Sequence, residues 1–208
     1  MGGRGSSSKK RIRSKEERFE DLIGSDYGTE NSFFGVFNQG DNDKWYDSLS
    51  QFEKLNINSY TGNKYKDINK YLRNPDVFEE SDSYKKELRR QANDIQAAIT
   101  KVPLQKSIVV HRYDDGGFLG KNISEVEVGK TITSKQFIST STRRQTGFGH
   151  IGYDIRIRKG SKAGQYIGGM SKFGSEKEFL LKYGAKFKIT GFSKDSYGNS
   201  VVQMEYID

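Results

Sequence analysis

A chain of 208 residues with 33% hydrophobic and 12% aromatic residues is long enough for one domain with a buried core, and too aromatic to sit among disordered proteins. It has no cysteine and only two histidines, His111 and His150, which excludes disulfides and thiolate chemistry and leaves too few ligands for an ordinary zinc site, so no metal is expected. No run reaches the roughly 18 apolar residues of a membrane span, and the opening Met1 to Lys10 has no apolar stretch, so neither a span nor a secretory signal is expected.

The net charge of +8 is concentrated at the start. Residues 1–18 carry Arg4, Lys9, Lys10, Arg11, Arg13, Lys15 and Arg18 against Glu16 and Glu17, a net of +5 that leaves +3 for the other 190 residues. A short basic, Gly/Ser-rich arm of this kind reads as a disordered tail, with weak contact to nucleic acid or an acidic surface as the alternative. Residues 19–208 read as one domain, helical over 19–102 and strand-rich over 103–208.

Apolar residues Trp45, Tyr46, Leu49, Phe52 and Leu55 recur near helical spacing and predict a helix over 43–55. Thr61 is a predicted cap for a second helix with the stripe Tyr65, Ile68 and Leu72, ended by Asn74-Pro75. A third is predicted over 83–100, with Tyr84, Leu88, Ile95 and Ile99 on one face. After Pro103 the period drops to two, and strands are predicted at 107–112, 131–138, 152–158, 165–167, 176–181, 186–192 and 201–206. In the third of these, Tyr153, Ile155 and Ile157 alternate with Asp154, Arg156 and Arg158, which predicts one wet face. Helices first and strands later give an α+β domain rather than a doubly wound sheet.

Three features of the strand-rich half carry chemistry. Arg112 ends the apolar strand Ile108 to Arg112 on the face of Ile108 and Val110, where a guanidinium must find a phosphate, a carboxylate, or a structural partner such as Asp114 or Asp115. The step Ser139-Thr140-Ser141-Thr142 offers four hydroxyls that either tie the strand end to backbone or orient a carboxylate or sugar. No G-x-S-x-G is present, and no histidine stands at a spacing typical of a Ser-His hydrolase, so a nucleophilic serine is not read. Glu176 and Glu178, two apart on a predicted strand, would stand side by side and raise each other's pKa unless a cation, a hydroxyl network or a reaction engages them.

Arginine, then Ser-Thr-Ser, then Glu-x-Glu on successive strands resembles the signature of arginine-specific, toxin-like mono-ADP-ribosyltransferases. The resemblance is most specific to the enzymatic components of binary actin-modifying toxins and to Rho-modifying exoenzymes. It extends to Tyr60-Thr61, Tyr65, Ile68-Asn69 and Leu72-Arg73, similar to a helix motif of that family, and to Gly184-Ala-Lys-Phe-Lys-Ile189, similar to the strand after its glutamates. The fold implied is N-terminal helices packed on a two-sheet mixed β core of the ADP-ribosyltransferase type. The resemblance implies NAD as co-substrate, with Arg112 holding the diphosphate and Ser139 and Thr140 in the cofactor site. Ser139 would also position Glu178. Glu178 would accept a hydrogen bond from the nicotinamide ribose and stabilise the oxocarbenium-like state. Glu176 would orient or deprotonate an arginine acceptor, whose guanidinium is no nucleophile until a base takes its proton. The stretch from Gly164 to Ser175 would form a mobile loop whose Phe173 touches the target protein.

The chain departs from that pattern at two places. His111 and Tyr113 flank Arg112 where Tyr and Arg are frequent, which leaves Arg143, Arg144 and Arg156 as candidates for a second phosphate contact. Gln136 stands where asparagine is usual, and would reach the nicotinamide carboxamide or a ribose on a longer arm. The chain is expected to be a monomer acting in the cytoplasm of the producing or a target cell. The alternatives are an NAD glycohydrolase, in which water replaces the acceptor, and a non-enzymatic basic-armed module that binds nucleic acid. The Gly/Ser-rich opening is also similar to segments of phage head-associated proteins, which makes virion association a further alternative.

Overall fold

The computed structural model describes residues 39–120, 123–144, 148–172 and 176–207. The expected basic arm, residues 1–18, and Phe173 lie outside them. The helix expected over 43–55 is two helices, α1 (Gln39–Ser48) and α2 (Gln51–Ser59). Ser50 breaks it with an extended backbone and a capping box: its hydroxyl accepts from Glu53 N–H, while Glu53 accepts from Ser50 N–H at 2.7 Å. Propensity carried the period across the break, and capping chemistry overrode it.

A single π-helical turn, Tyr60–Lys64, joins α2 to α3 (Tyr65–Arg73). Thr61 does not cap α3 as expected. Its hydroxyl donates to the Asn58 carbonyl at 2.9 Å and accepts from Lys172 N–H at 3.1 Å, which ties the segment ahead of Glu176 to the helical layer. Asn74-Pro75 ends α3 in a 3-10 turn, and Ser81 caps α4 (Asp82–Ile99).

Eight strands follow: β1 (Ile108–Asp114), β2 (Thr131–Thr133), β3 (Ile138–Ser141), β4 (Ile151–Ile157), β5 (Gly164–Tyr166), β6 (Glu178–Leu181), β7 (Lys186–Lys194) and β8 (Ser200–Ile207). The strand expected over 131–138 is split, because Ser134 hydrogen-bonds both the N–H and the carbonyl of Gln136 and turns the chain. The strands pair in the order β2-β7-β8-β4-β1-β3-β6-β5, mixed through the parallel pair β4–β8. The expected two sheets are joined as one ladder, but by a single registered pair, His111 with Ser141. Arg112, one residue on, therefore sits where the two halves of the sheet part.

Two cores flank the sheet, and β6 serves both. Ile108, Val110, Tyr153, Ile155, Phe179, Leu181, Phe187, Val202 and Met204 pack together on one side. On the other, Phe137, Ile167 and Leu180 of the β3–β6–β5 half receive Trp45, Ile57, Tyr60, Ile68, Leu88, Ile95 and Ile99 of the helices. Trp45 closes that layer by donating its indole N–H to the Ala98 carbonyl at 2.9 Å. Burying each such large side chain contributes about 1.5–3 kcal/mol, and the docking leaves a cleft between α3 and the ends of β1, β3 and β6.

Candidate active site

The Ser-Thr-Ser step at β3 holds the Glu-x-Glu segment with all three hydroxyls. Ser139 Oγ donates to Glu178 Oε1 at 2.6 Å, Thr140 Oγ1 to the Phe179 carbonyl at 2.6 Å, and Ser141 Oγ to the Glu176 carbonyl at 2.7 Å. Both readings of the hydroxyl run are thus realised, one serine on a carboxylate and its neighbours on backbone. Thr140, expected in the cofactor site, is buried with its hydroxyl engaged across the ladder.

The two glutamates do not share a strand face as expected. β6 begins at Glu178, and Lys177 before it takes a left-handed backbone with φ 50°. That conformation is unusual for a residue with a side chain; the Thr142 N–H to Lys177 carbonyl bond and the Ser141 hydroxyl hold it. The turn still brings both carboxylates to one cleft, so the pairing survives while its stated cause does not. Glu178 is 6% exposed. Burial pushes its carboxyl above the ordinary range, the Ser139 and Ser171 hydroxyls pull it back, and the Glu176 charge pushes it up again.

Arg112 is gripped from its own strand and reaches across the split. Its Nε donates to Asp114 Oδ2 at 3.1 Å and its Nη1 to the Ser139 carbonyl at 2.8 Å. Asp114 also accepts from Tyr153 Oη, Gly116 N–H and Phe118 N–H, so the guanidinium is held against a carboxylate that four donors fix in place. The structural partner weighed for Arg112 is therefore present, and its fork still borders both cavities of the cleft.

The larger cavity, about 550 Å³, runs from α3 to β6 and is bordered by Arg112, Gln136, Ser139, Glu176 and Glu178. Its opposite wall is one face of α3 and the π turn: Tyr60, Tyr65, Lys66, Asn69, Lys70 and Arg73. Asn69 donates to Tyr60 Oη and accepts from Phe137 N–H, and Arg73 donates to Gln136 Oε1. Burial, reinforced by the nearby Glu178 charge, raises the Tyr60 phenol well above its ordinary range, so it stays protonated. Asn69 and Arg73 were read only as parts of a helix motif; the spacing of Tyr65, Asn69 and Arg73, four apart on the polar side of α3, is the signal that marks them as a site wall. The smaller cavity, about 250 Å³, shares Arg112, Ser139 and Glu176 with the larger one and continues to His111, Tyr113, Asp114, Ser141 and Phe148.

The expected second phosphate contacts do not reach either cavity. Arg144 is committed to Asp154 and to Tyr113 Oη, and neither Arg143 nor Arg156 borders the cleft. The strand β4 is also not wet on its second face at Asp154, which is buried between His111 and Arg144. Gly164–Tyr166, the start of the expected mobile loop, is strand β5. Among the described residues, no group of three or more His, Asp or Glu side chains is arranged to hold a metal, and no helix is long and apolar enough to cross a membrane.

The chain is 28% identical over 170 residues to an NAD(+)–arginine ADP-ribosyltransferase, EFV, of Enterococcus faecalis, covering 77% of this chain and 33% of that protein. It thus spans about a third of the length of that curated relative. Among solved structures it resembles Plx2a, an ADP-ribosyltransferase toxin from Paenibacillus larvae, with a TM-score of 0.68 and 22% identity over 95% of this chain and 98% of that one. It also resembles the ADP-ribosylating toxin BECa of a binary enterotoxin of C. perfringens, with a TM-score of 0.66 and 24% identity over 79% and 45% of the two chains. These likenesses are of fold. The family model described as ADP-ribosyltransferase exoenzyme matches residues 36–206, a span that contains Arg112, the Ser139 step and both glutamates, and the chain belongs to that family.

Proposed function

We propose that this protein cleaves the nicotinamide–ribose bond of NAD and transfers the ADP-ribose to an arginine side chain of a target protein, acting as a monomer. The observation that carries the reading is the Ser139–Glu178 bond at the floor of a cavity that Arg112 and Arg73 border. A buried carboxylate locked by a hydroxyl is suited to face a cation that develops at the anomeric carbon. Two guanidiniums on facing walls suit a diphosphate. The relative named as an NAD(+)–arginine ADP-ribosyltransferase, and the structure of a related toxin determined with NADH, support the choice of co-substrate and acceptor.

Within this reading, Arg112, held by Asp114, grips the diphosphate, and Arg73 with Gln136 contacts it or the adjoining ribose from α3. Glu178 accepts from a ribose hydroxyl and stabilises the developing charge. Ser139 keeps the carboxylate turned toward that position. Glu176, half-exposed and bordering both cavities, takes a proton from the incoming guanidinium. The smaller cavity, beyond Arg112 and away from α3, receives the leaving base, for which the aromatic lip at Phe148 offers a flat face. Phe173, just ahead of Glu176 in the chain, is assigned to contact with the target protein.

Incubation of bacterial and eukaryotic lysates with adenylate-labelled NAD tests the proposal, followed by mass spectrometry of modified peptides. Label on arginine that disappears with Glu178→Ala supports it. Absence of labelled protein, or labelling that Glu178→Ala leaves intact, overturns it.

A further inference from the structure

His111 is a buried imidazole in the wall of the smaller cavity, and nothing in the reaction described above uses it. It stands at the one registered pair that joins the two halves of the sheet, opposite Ser141 on β3 and opposite Asp154 on β4. Its Nδ1 lies 2.8 Å from Asp154 Oδ1. The other oxygen of that carboxylate receives the Arg144 guanidinium, so both of its oxygens are engaged. An ionised carboxylate only accepts, so Nδ1 carries the proton that it receives. The tautomer is thereby set, and Nε2 is left as a bare acceptor in the neutral ring. Among the described residues no hydrogen-bond partner occupies Nε2.

We propose that His111 reads the leaving base of the co-substrate, its Nε2 accepting a hydrogen bond from the carboxamide N–H of nicotinamide in the smaller cavity, while Asp154 and Arg144 fix the imidazole. This rests on the reading of the site given above and extends it to the recognition of the base. A cavity of about 250 Å³ that adjoins Arg112, Ser139 and Glu176 lies where the base must leave once the ribose is held at Glu178. Of its other borders, Ser139, Thr140 and Ser141 have their hydroxyls spent on the Glu-x-Glu segment. The charged and titratable groups around His111 are Asp154 on β4, Arg144 after β3, Glu176 ahead of β6, and Arg112, Tyr113 and Asp114 on β1.

The test is binding rather than turnover. In a Glu178→Gln background, calorimetry compares NAD with its 3-acetylpyridine analogue, which keeps the ring and its charge but lacks the amide N–H. With His111 present, NAD binds roughly tenfold tighter than the analogue, since the analogue offers Nε2 no donor. With His111→Phe the ratio falls to about one; a packing role would weaken both ligands alike. A second readout needs no variant: with two histidines in the chain, the ring signals of His111 are followed by NMR, and Nε2 shifts on adding NAD but not the analogue. An unchanged ratio in His111→Phe, or an Nε2 signal indifferent to the carboxamide, overturns this inference while leaving NAD binding intact. Failure of NAD to bind at all overturns the function itself.

Discussion

Replacing Ser139 with alanine removes one hydroxyl and leaves the β3 backbone in its ladder, so it isolates the bond to Glu178. That bond is 2.6 Å long, and its acceptor is a carboxylate with 6% exposure, so water replaces the lost donor poorly. Charge-assisted hydrogen bonds of this kind contribute about 1.5–3 kcal/mol. At about 1.4 kcal/mol per decade the loss lowers kcat/KM for nicotinamide release roughly 10- to 150-fold near neutral pH. The pH dependence gives the sharper readout. Burial already holds Glu178 above its ordinary value, and Ser139 is a group that pulls it back. Cleavage needs the carboxylate, so activity rises with pH through that pKa, and Ser139→Ala moves the acid limb to higher pH. Release of labelled nicotinamide, followed from about pH 5 to 9, measures both effects. An acid limb that stays in place, with wild-type kcat/KM, would show that the hydroxyl does not serve Glu178. A uniform loss at every pH with a lowered Tm would instead point to damage in the strand.

Glu178→Gln should be inactive and yet more stable at neutral pH. The folded pKa lies above the ordinary 4.5, so the stability contributed by the protonated acid is present below the unfolded value and is lost as pH rises through the folded one. Thermal melts should show the gain near neutrality, about 2–4 °C for each kcal/mol relieved, and none near pH 4; an equal gain at both counts against the argument. Glu176→Gln should lower transfer to arginine by about 100-fold or more while sparing much NAD hydrolysis, and equal loss of the two activities would contradict the division of roles. Arg112→Lys loses the planar fork that spans Asp114 and the Ser139 carbonyl, and should raise the Kd for NAD roughly 10-fold or more by calorimetry; unchanged affinity would remove Arg112 from the diphosphate site. Gly164→Ala places a Cβ about 2.0 Å from the Leu180 carbonyl in β6, and should cost about 1–3 kcal/mol in denaturant melts; a wild-type midpoint would mean that β5 yields without cost.

The residues that line the cleft were legible because their types and their order along the chain are sparse. Arg112, Ser139, Glu176 and Glu178 were each marked before any contact was known, and they meet in one cleft. Their local geometry was less legible. The i, i+2 argument for the glutamates assumed a strand through Glu176, whereas the left-handed Lys177 and the Ser141 and Thr142 bonds replace it with a turn. Periodicity likewise carried a helix across Ser50, because the capping box acts through one side chain that a hydrophobic pattern does not register. Arg143, Arg144 and Arg156 were candidates for a second phosphate contact, while the cations bordering the larger cavity with Arg112 come from α3, some 40 residues upstream.

Alternation of apolar residues, turn chemistry and the order of three short motifs were enough to specify an α+β domain and to mark the residues that meet in its cleft. Those signals are local, so they survive in a linear reading. The set of His111, Asp154 and Arg144 is of another kind: His111 is far in the chain from the other two, and the pairing of β1 with β4 is what brings its imidazole to the Asp154 carboxylate that Arg144 also holds. The same holds for the single registered pair between β1 and β3, which opens the sheet beside Arg112. Pairing across distant strands sets which charges share a low-dielectric space, and no pattern within one strand encodes that choice.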